Sequence, residues 1–348
     1  MLAIELAFWQ ETIIRLFFAF LVVLVPAGAT VYLYLFKMVS FMQSRLGPME
    51  AGPFGSMQLL AELGKSAQKE DIIPDNADRF VYTAAPYVVI ISSFLLALVV
   101  PFGPDAFFVN FDTGIFFALA VSSVSVIGVL MAGWASSSKY SLLGGLRAAG
   151  QLIAYELPLV LAVVGVVIQA GTLNLQGIVD AQISGELFGW GALGNPFIIT
   201  QFVGFIIFFI AVQAELTQTP FDMPVAESEL VTGFMTEYSG FRFLMFFIGE
   251  FATANIFAFL GATLFLGGWS VPPFVTELLG LDPYSNLFNF IGPIIMILKM
   301  LAITFVIYWV RFTYPRFRED QLQSFAWKIL IPISLVNIAA TGILKVVF

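Results

Sequence analysis

Long apolar runs alternate with short polar segments along the whole chain. Eight runs are long enough to cross about 30 Å of hydrocarbon: about 12–36, 81–101, 113–134, 147–170, 197–216, 241–267, 291–311 and 326–347. The pattern predicts an all-α integral membrane protein, one transmembrane domain over 1–348 built as a bundle of eight transmembrane helices. The first run is too long for a signal peptide and has no small-residue cleavage site after it, so it reads as the first span. A further helix is expected at about 54–70, in the first polar segment. There Met57, Leu60, Gly64 and Ala67 recur at helical spacing, Glu62, Lys65 and Lys69 fall on another face, and Pro53 suits a helix start. Such a helix would lie at the membrane surface, as a lid on the bundle or as the wall of a lipid-side opening. No internal repeat of the kind many transporters carry is visible.

Composition agrees with the pattern: 59% of residues are hydrophobic and 11% charged, outside the range of soluble globular domains. The sequence has no Cys and no His. That removes thiolate iron–sulfur ligation, disulfides, ordinary haem ligation and most zinc sites. No metal is expected on this chain, and any redox centre belongs to another subunit. A net charge of −8, without a basic stripe, excludes nucleic acid as a partner.

The bases are distributed by side. Lys37, Arg45, Lys65, Lys69, Arg79, Lys139, Arg147, Arg242, Arg311, Arg316, Arg318 and Lys328 fall in or beside the odd-numbered loops, and the even-numbered loops have none. The positive-inside rule then places the odd loops in the cytoplasm and both termini on the opposite side.

Several charges lie where hydrocarbon penalises them. Glu156 stands nine residues beyond Arg147, about 13 Å along a helix, and Glu250 eight beyond Arg242, about 12 Å. Glu215 closes the fifth run, and Lys299 sits near the middle of the seventh. Each mid-membrane charge costs about 2.5–3.5 kcal/mol on insertion scales. Buried ion pairs, such as Lys299 with Glu250 or Glu156, are one explanation, but one lysine cannot neutralise three carboxylates. A proton relay is the other. The fifth loop continues the acidic line with Asp222, Glu227, Glu229 and Glu237. Its acids are interleaved with Phe221, Met223, Pro224, Val225, Leu230, Val231 and Phe234, which fits a partly buried segment beside an apolar cavity better than a solvated loop.

The stretch "PFDMPVAESELVTGFMTEYSG", followed by "FFIGEFA", resembles the membrane subunit of respiratory complex I that adjoins the quinone chamber: the bacterial NuoH family and its mitochondrial and chloroplast counterparts. "QSRLGPMEAGPFGSMQLLAELGKSAQKED", "ASSSKYSLLGGLRAAGQLIAYELPL", "LGGW" and "WVRFTYPRFREDQLQSFAWKILIP" are similar to further family segments, in colinear order over about residues 30 to 345. The resemblance implies a subunit of NADH:quinone oxidoreductase, a translocase, with no independent catalysis and no cofactor bound by this chain. Quinone is the implied substrate. Iron–sulfur clusters, with FMN as an option, would sit in partners. The implied partners are hydrophilic quinone-pocket and iron–sulfur subunits, small membrane subunits, antiporter-like subunits and the lipid of a bacterial inner membrane. Carried over by motif, Glu156, Glu215 and Glu250 belong to an acidic channel, and Asp222, Glu227, Glu229 and Glu237 to the loop coupling quinone chemistry to it. Lys299 is a further relay candidate from its place in the membrane. Arg45, Glu62, Phe221, Arg311, Arg316 and Arg318 fall on stretches lining the tunnel or its interface with the hydrophilic arm. For Arg316 and Arg318 a purely topogenic role is the alternative.

The sequence departs from the family pattern at paired positions. Leu35 and Phe36 stand where the family has a Glu-Arg pair, Gln218 where it has Arg, and Val225 where it has Glu. One acid and one base vanish together in each region, as expected if buried pairs were lost whole. The competing readings are the equivalent subunit of a membrane-bound hydrogenase, a stand-alone ion-coupled secondary transporter using Glu156, Glu250 and Lys299, and a passive anchor, which leaves the buried charges unexplained.

Overall fold

The computed structural model describes residues 8–185, 194–280 and 282–347, and these are helical with no strand among them. Helix α1 begins at Phe8–Thr30 and runs on through a π-helical stretch, Val31–Met38, to Met42. The following helices are α2 (Gln58–Gln68), α3 (Arg79–Ala97), α4 (Gly114–Ala135), α5 (Lys139–Ala170), α6 (Leu175–Ser184), α7 (Phe202–Glu215), α8 (Gly240–Phe265), α9 (Pro273–Leu279), α10 (Phe288–Thr313) and α11 (Glu319–Val347).

Seven described helices are long and apolar enough to cross a membrane: α1, α3, α4, α5, α8, α10 and α11. The run at 197–216 is not one helix of that length. A turn, Phe197–Thr200, is followed by a break at Gln201 (φ −112°, ψ 38°), and only then does the 14-residue α7 begin. The break has a side-chain cause. The Gln201 amide is buried and donates to Thr341 Oγ1 at 2.6 Å, while its oxygen accepts from Asn337 at 2.9 Å. A polar network with α11 therefore occupies the residue where the helix would have continued.

Helix α5 starts at Lys139, eight residues before the expected 147, because its first two turns mix polar with apolar positions and escape a hydropathy reading. It spans 32 residues, about 48 Å at 1.5 Å per residue. At the other end of the bundle Lys299 donates to the carbonyls of Leu266, Gly268 and Ser270 at 2.6–2.7 Å. Lys345 does the same for Ile168 and Gln169, at 2.6 and 3.1 Å. Lys345 satisfies carbonyls in the last turn of α5, which is favourable at a helix C-terminus, and Lys299 holds the turn that follows α8.

Helix α2 forms within the expected stretch, with Pro53 on a separate turn before it. Met57 and Leu60 are exposed, whereas Leu59, Glu62, Leu63 and Ser66 face the bundle. The bundle-facing stripe is i, i+3, i+4, i+7 counted from Leu59, so Glu62 belongs to it. The sequence pattern grouped Glu62 with Lys65 and Lys69, which are exposed, whereas Glu62 is half-buried.

Candidate functional site

The site is built around the loop from Leu216 to Ser239, which is packed into the bundle. Phe221, Met223, Ala226, Leu230, Phe234 and Tyr238 are all buried. Side chains from neighbouring helices hold its backbone. Gln151 on α5 donates to the carbonyls of Ala214 and Phe221 at 2.7 and 2.6 Å, and Gln213 donates to Thr219 at 2.9 Å. The Phe221 ring packs between Tyr155 and Phe317, with centroids at 5.2 and 5.4 Å. At the far end Tyr238 stacks on Tyr82 at 4.1 Å. The Tyr82 hydroxyl donates to the Glu237 carbonyl, and the Tyr238 hydroxyl to the Tyr82 carbonyl. Gly144 on α5 permits the close approach of the loop: a Cβ there would stand 2.6 Å from the Phe234 nitrogen.

This packing sorts the acids. Asp222 accepts two bonds from the Arg316 guanidinium, at 2.6 and 2.8 Å, the bidentate geometry that makes such pairs strong. The Asp222 hydrogen bonds raise the Arg316 pKa further, so its charge is permanent. Arg316 also donates to Ser228 at 2.9 Å. Glu229 pairs with Arg147 at 2.6 Å, and Glu319 approaches the same guanidinium at 3.8 Å. Glu227 is exposed, and Glu237 is half-buried beside the tyrosine stack.

The three deeper carboxylates behave differently. Glu250 pairs with Arg311 at 3.1 Å. No ion pair reaches Glu156 or Glu215 among the described residues. Glu156 accepts from the Ser123 hydroxyl and is close enough to Glu215 to act on it electrostatically. Oε2 of Glu215 is buried without a hydrogen-bond partner. Glu215 and Glu250 face one internal cavity of ≈ 70 Å³, whose polar wall also includes Ser125, Thr217 and Thr253. That is room for water, which needs about 10–15 Å³ per molecule and two or more polar partners.

A second cavity of ≈ 250 Å³ lies between α1, α2 and α8. Its walls include Leu24, Leu59, Phe247 and Phe251, and Glu62, which accepts from Gln58 at 3.1 Å, is the acid in it. Its predominantly apolar walls with one acid have the character of a site for an apolar small molecule.

The structure thus gathers Glu156, Glu215, Glu250 and Arg311 at one place, Asp222, Glu229, Phe221 and Arg316 beside it, and Glu62 on the apolar cavity. It places Lys299 elsewhere: the carbonyls it caps begin sixteen residues beyond Glu250, about 24 Å along the helix. Pairing of Lys299 with Glu156 or Glu250 is therefore not what balances those acids. Arg45 is exposed and donates to Gln43, and Arg318 is exposed and pairs with Asp320. Sequence reading passed over Ser123, Ser125, Thr253 and Tyr308, and it counted Arg147 as a topogenic charge only. Arg147 and Glu229 are 82 positions apart, so nothing local announces their pairing.

A family model for NADH dehydrogenase matches residues 14–342. The chain belongs to this family. It is 42% identical over 338 residues to the NADH-quinone oxidoreductase H subunit of Brevibacillus brevis, covering 96% of this chain and 94% of that protein. Proteins of the same name from Geobacillus kaustophilus (46% over 314 residues; 90% and 87% covered) and Geobacillus thermodenitrificans (44% over 344 residues; 98% and 97% covered) are similarly related.

Proposed function

We propose that this chain is the quinone-chamber membrane subunit of a proton-translocating NADH:quinone oxidoreductase, forming part of its quinone tunnel and passing the effect of quinone reduction to buried carboxylates. Like its relatives it would act only within a complex. Hydrophilic quinone-pocket and iron–sulfur subunits would supply the redox centres, and small membrane and antiporter-like subunits would continue the membrane arm. The observation that carries this reading is the pairing of two cavities. One is apolar, bounded by α1, α2 and α8. The other is lined in part by Glu215, Glu250 and three hydroxyl side chains. Helix α8 walls both.

In this reading Phe197–Thr200 and α7 together make the eighth crossing, and α2 is the amphipathic helix at the cytoplasmic surface of a bacterial inner membrane. Quinone enters beside α2, where the exposed Phe54, Met57 and Leu60 meet lipid. Glu62 and the arginines Arg45, Arg311, Arg316 and Arg318 lie along the tunnel or the face that meets the hydrophilic arm. The loop bearing Asp222, Glu227, Glu229 and Glu237 connects that face to the carboxylates. When quinone is reduced and takes up protons, the local loss of positive charge shifts the loop's ion pairs and the proton affinity of Glu215, which no base reaches among the described residues.

Two measurements on one preparation test this. A tag on this chain should bring down a large assembly with iron–sulfur electron paramagnetic resonance signals. A photoreactive quinone should label residues 24–31, 59–66 or 243–251. A lone chain without clusters, under gentle detergents and after crosslinking, would favour the transporter reading. Labelling confined to other segments would remove the tunnel assignment.

A further inference from the structure

A groove outside the site runs along the first part of α1. Ile14, Phe18, Leu21, Val22 and Val25 recur at i, i+4, i+7, i+8 and i+11, one apolar stripe of the helix, and all five line a cavity of ≈ 480 Å³. Loop residues from 102 to 108 and α10, through Pro293 and Ile297, supply its other walls. Its floor is aromatic: Phe102 packs edge-on against Phe108 and Phe259, with centroids at 6.2 and 5.3 Å. Helix α1 is held on another side, where Phe20 stacks on Phe94 at 5.0 Å. Pro26 in α1 and Pro293 in α10 both border the cavity. Proline inside a helix removes a backbone bond and bends the helix, which favours walls that stay apart. Among the described residues the lining is apolar but for Arg15. That side chain is exposed and reaches across to the loop, donating to the Phe108 carbonyl at 3.3 Å, so its guanidinium stands at one end of the groove. Asp105, on the same loop, is tied instead to Asn289: its N–H donates to the Asn289 oxygen at 2.9 Å, and its carboxylate accepts from the amide at 3.5 Å.

We propose that this groove holds a phospholipid of the leaflet in which α1 begins, with one acyl chain against the stripe and the phosphate on Arg15. The dimensions select a lipid chain. From Ile14 to Pro26 the groove follows about 18 Å of helix at 1.5 Å per residue, and one leaflet contributes about 15 Å of hydrocarbon. A partner transmembrane helix needs a face along the whole ~30 Å and is about 10–12 Å across with its side chains. The groove is too short for that. Charge selects the headgroup. A guanidinium binds phosphate oxygens through parallel N–H donors, and an uncharged lipid offers no such acceptor. Helix α1 also carries Leu24, Ala27 and Gly28 on the wall of the cavity bounded by α2, so the lipid braces a helix that serves both cavities. The inference needs only that α1 crosses the bilayer, and it is independent of the redox reading above.

Photocrosslinking tests this in the intact complex, washed in detergent and reconstituted into proteoliposomes. The probes are a phosphatidylglycerol and a diacylglycerol carrying the same photoreactive acyl chain. Label should appear within residues 14–22, 102–108 or 293–297. Phosphatidylglycerol should label them roughly fivefold more than diacylglycerol, the factor that one arginine near a membrane surface supplies. Arg15→Gln should bring the two probes to equal labelling. Ile297→Trp, which fills the groove, should lower labelling of these segments by both probes while labelling elsewhere on the chain is unchanged. Equal labelling by the two probes in the wild type overturns the proposal, and so does a phosphatidylglycerol preference that survives Arg15→Gln. Absence of lipid label from all three segments overturns it as well, and is the result expected if a partner subunit covers the groove. If Ile297→Trp fails to assemble, the Arg15→Gln comparison still decides, because that side chain is exposed and its replacement leaves the apolar walls in place.

Discussion

The acids of this chain are divided by what each side chain meets. Asp222, Glu229 and Glu250 are held by arginines, Glu156 accepts from the Ser123 hydroxyl, and Glu215 lines the cavity it shares with Glu250. The Asp222–Arg316 pair fixes the loop through two parallel bonds, a geometry lysine cannot reproduce. Arg316→Lys should therefore lower the stability of the assembled complex by about 1–3 kcal/mol, read as a fall in its thermal midpoint; an unchanged midpoint would make Arg316 a topogenic charge. Gln218 gives the sharper residue-scale test. Gln218→Arg places a second guanidinium near Arg311 and Tyr308 and should impair stability or turnover. Adding Val225→Glu should recover part of the loss if the departures are a pair lost whole. Single and double variants that behave alike would refute the pairing. The acids themselves were legible in the sequence, because charges inside apolar runs stand out. Their partners were not, since a pair such as Arg147–Glu229 is made by tertiary packing across 82 positions. Lys299 stood out equally, but its partners, the carbonyls of Leu266, Gly268 and Ser270, were not legible, since they too are brought to it by packing.

At the scale of elements, most helix positions followed the apolar runs. Residues 197–216 read as one span because the break at Gln201 lies inside an apolar run, and only the Asn337 and Thr341 partners on α11 reveal why it is there. Helix α2 turned Glu62 inward because Leu59 and Leu63 dock on the bundle. The burial of the acidic loop was foreseeable from its interleaved apolar residues; its seat against α5 was not. That seat depends on Gly144. Gly144→Ala should push the loop off α5 and destabilise the protein by about 1–3 kcal/mol. Limited proteolysis within 226–232 should become faster. Wild-type protease resistance in the variant would show that the loop is held elsewhere, by Gln151 and the Tyr82–Tyr238 stack.

For the whole molecule, the family match and the two cavities converge on one layout. In the proposed function a greasy ligand would be received between α1, α2 and α8, and carboxylates a few side chains away would receive its electrostatic consequence. Helix α8 joins the two, with Phe247 and Phe251 on one side and Gly249, Glu250 and Thr253 on the other. The most direct measurement is proton translocation per quinone reduced in sealed vesicles carrying Glu215→Gln or Glu250→Gln, with assembly verified by native electrophoresis. Assembly should be preserved while coupled turnover falls at least roughly tenfold. Normal activity with normal pumping in both variants would contradict the account and leave the buried carboxylates without a role in coupling.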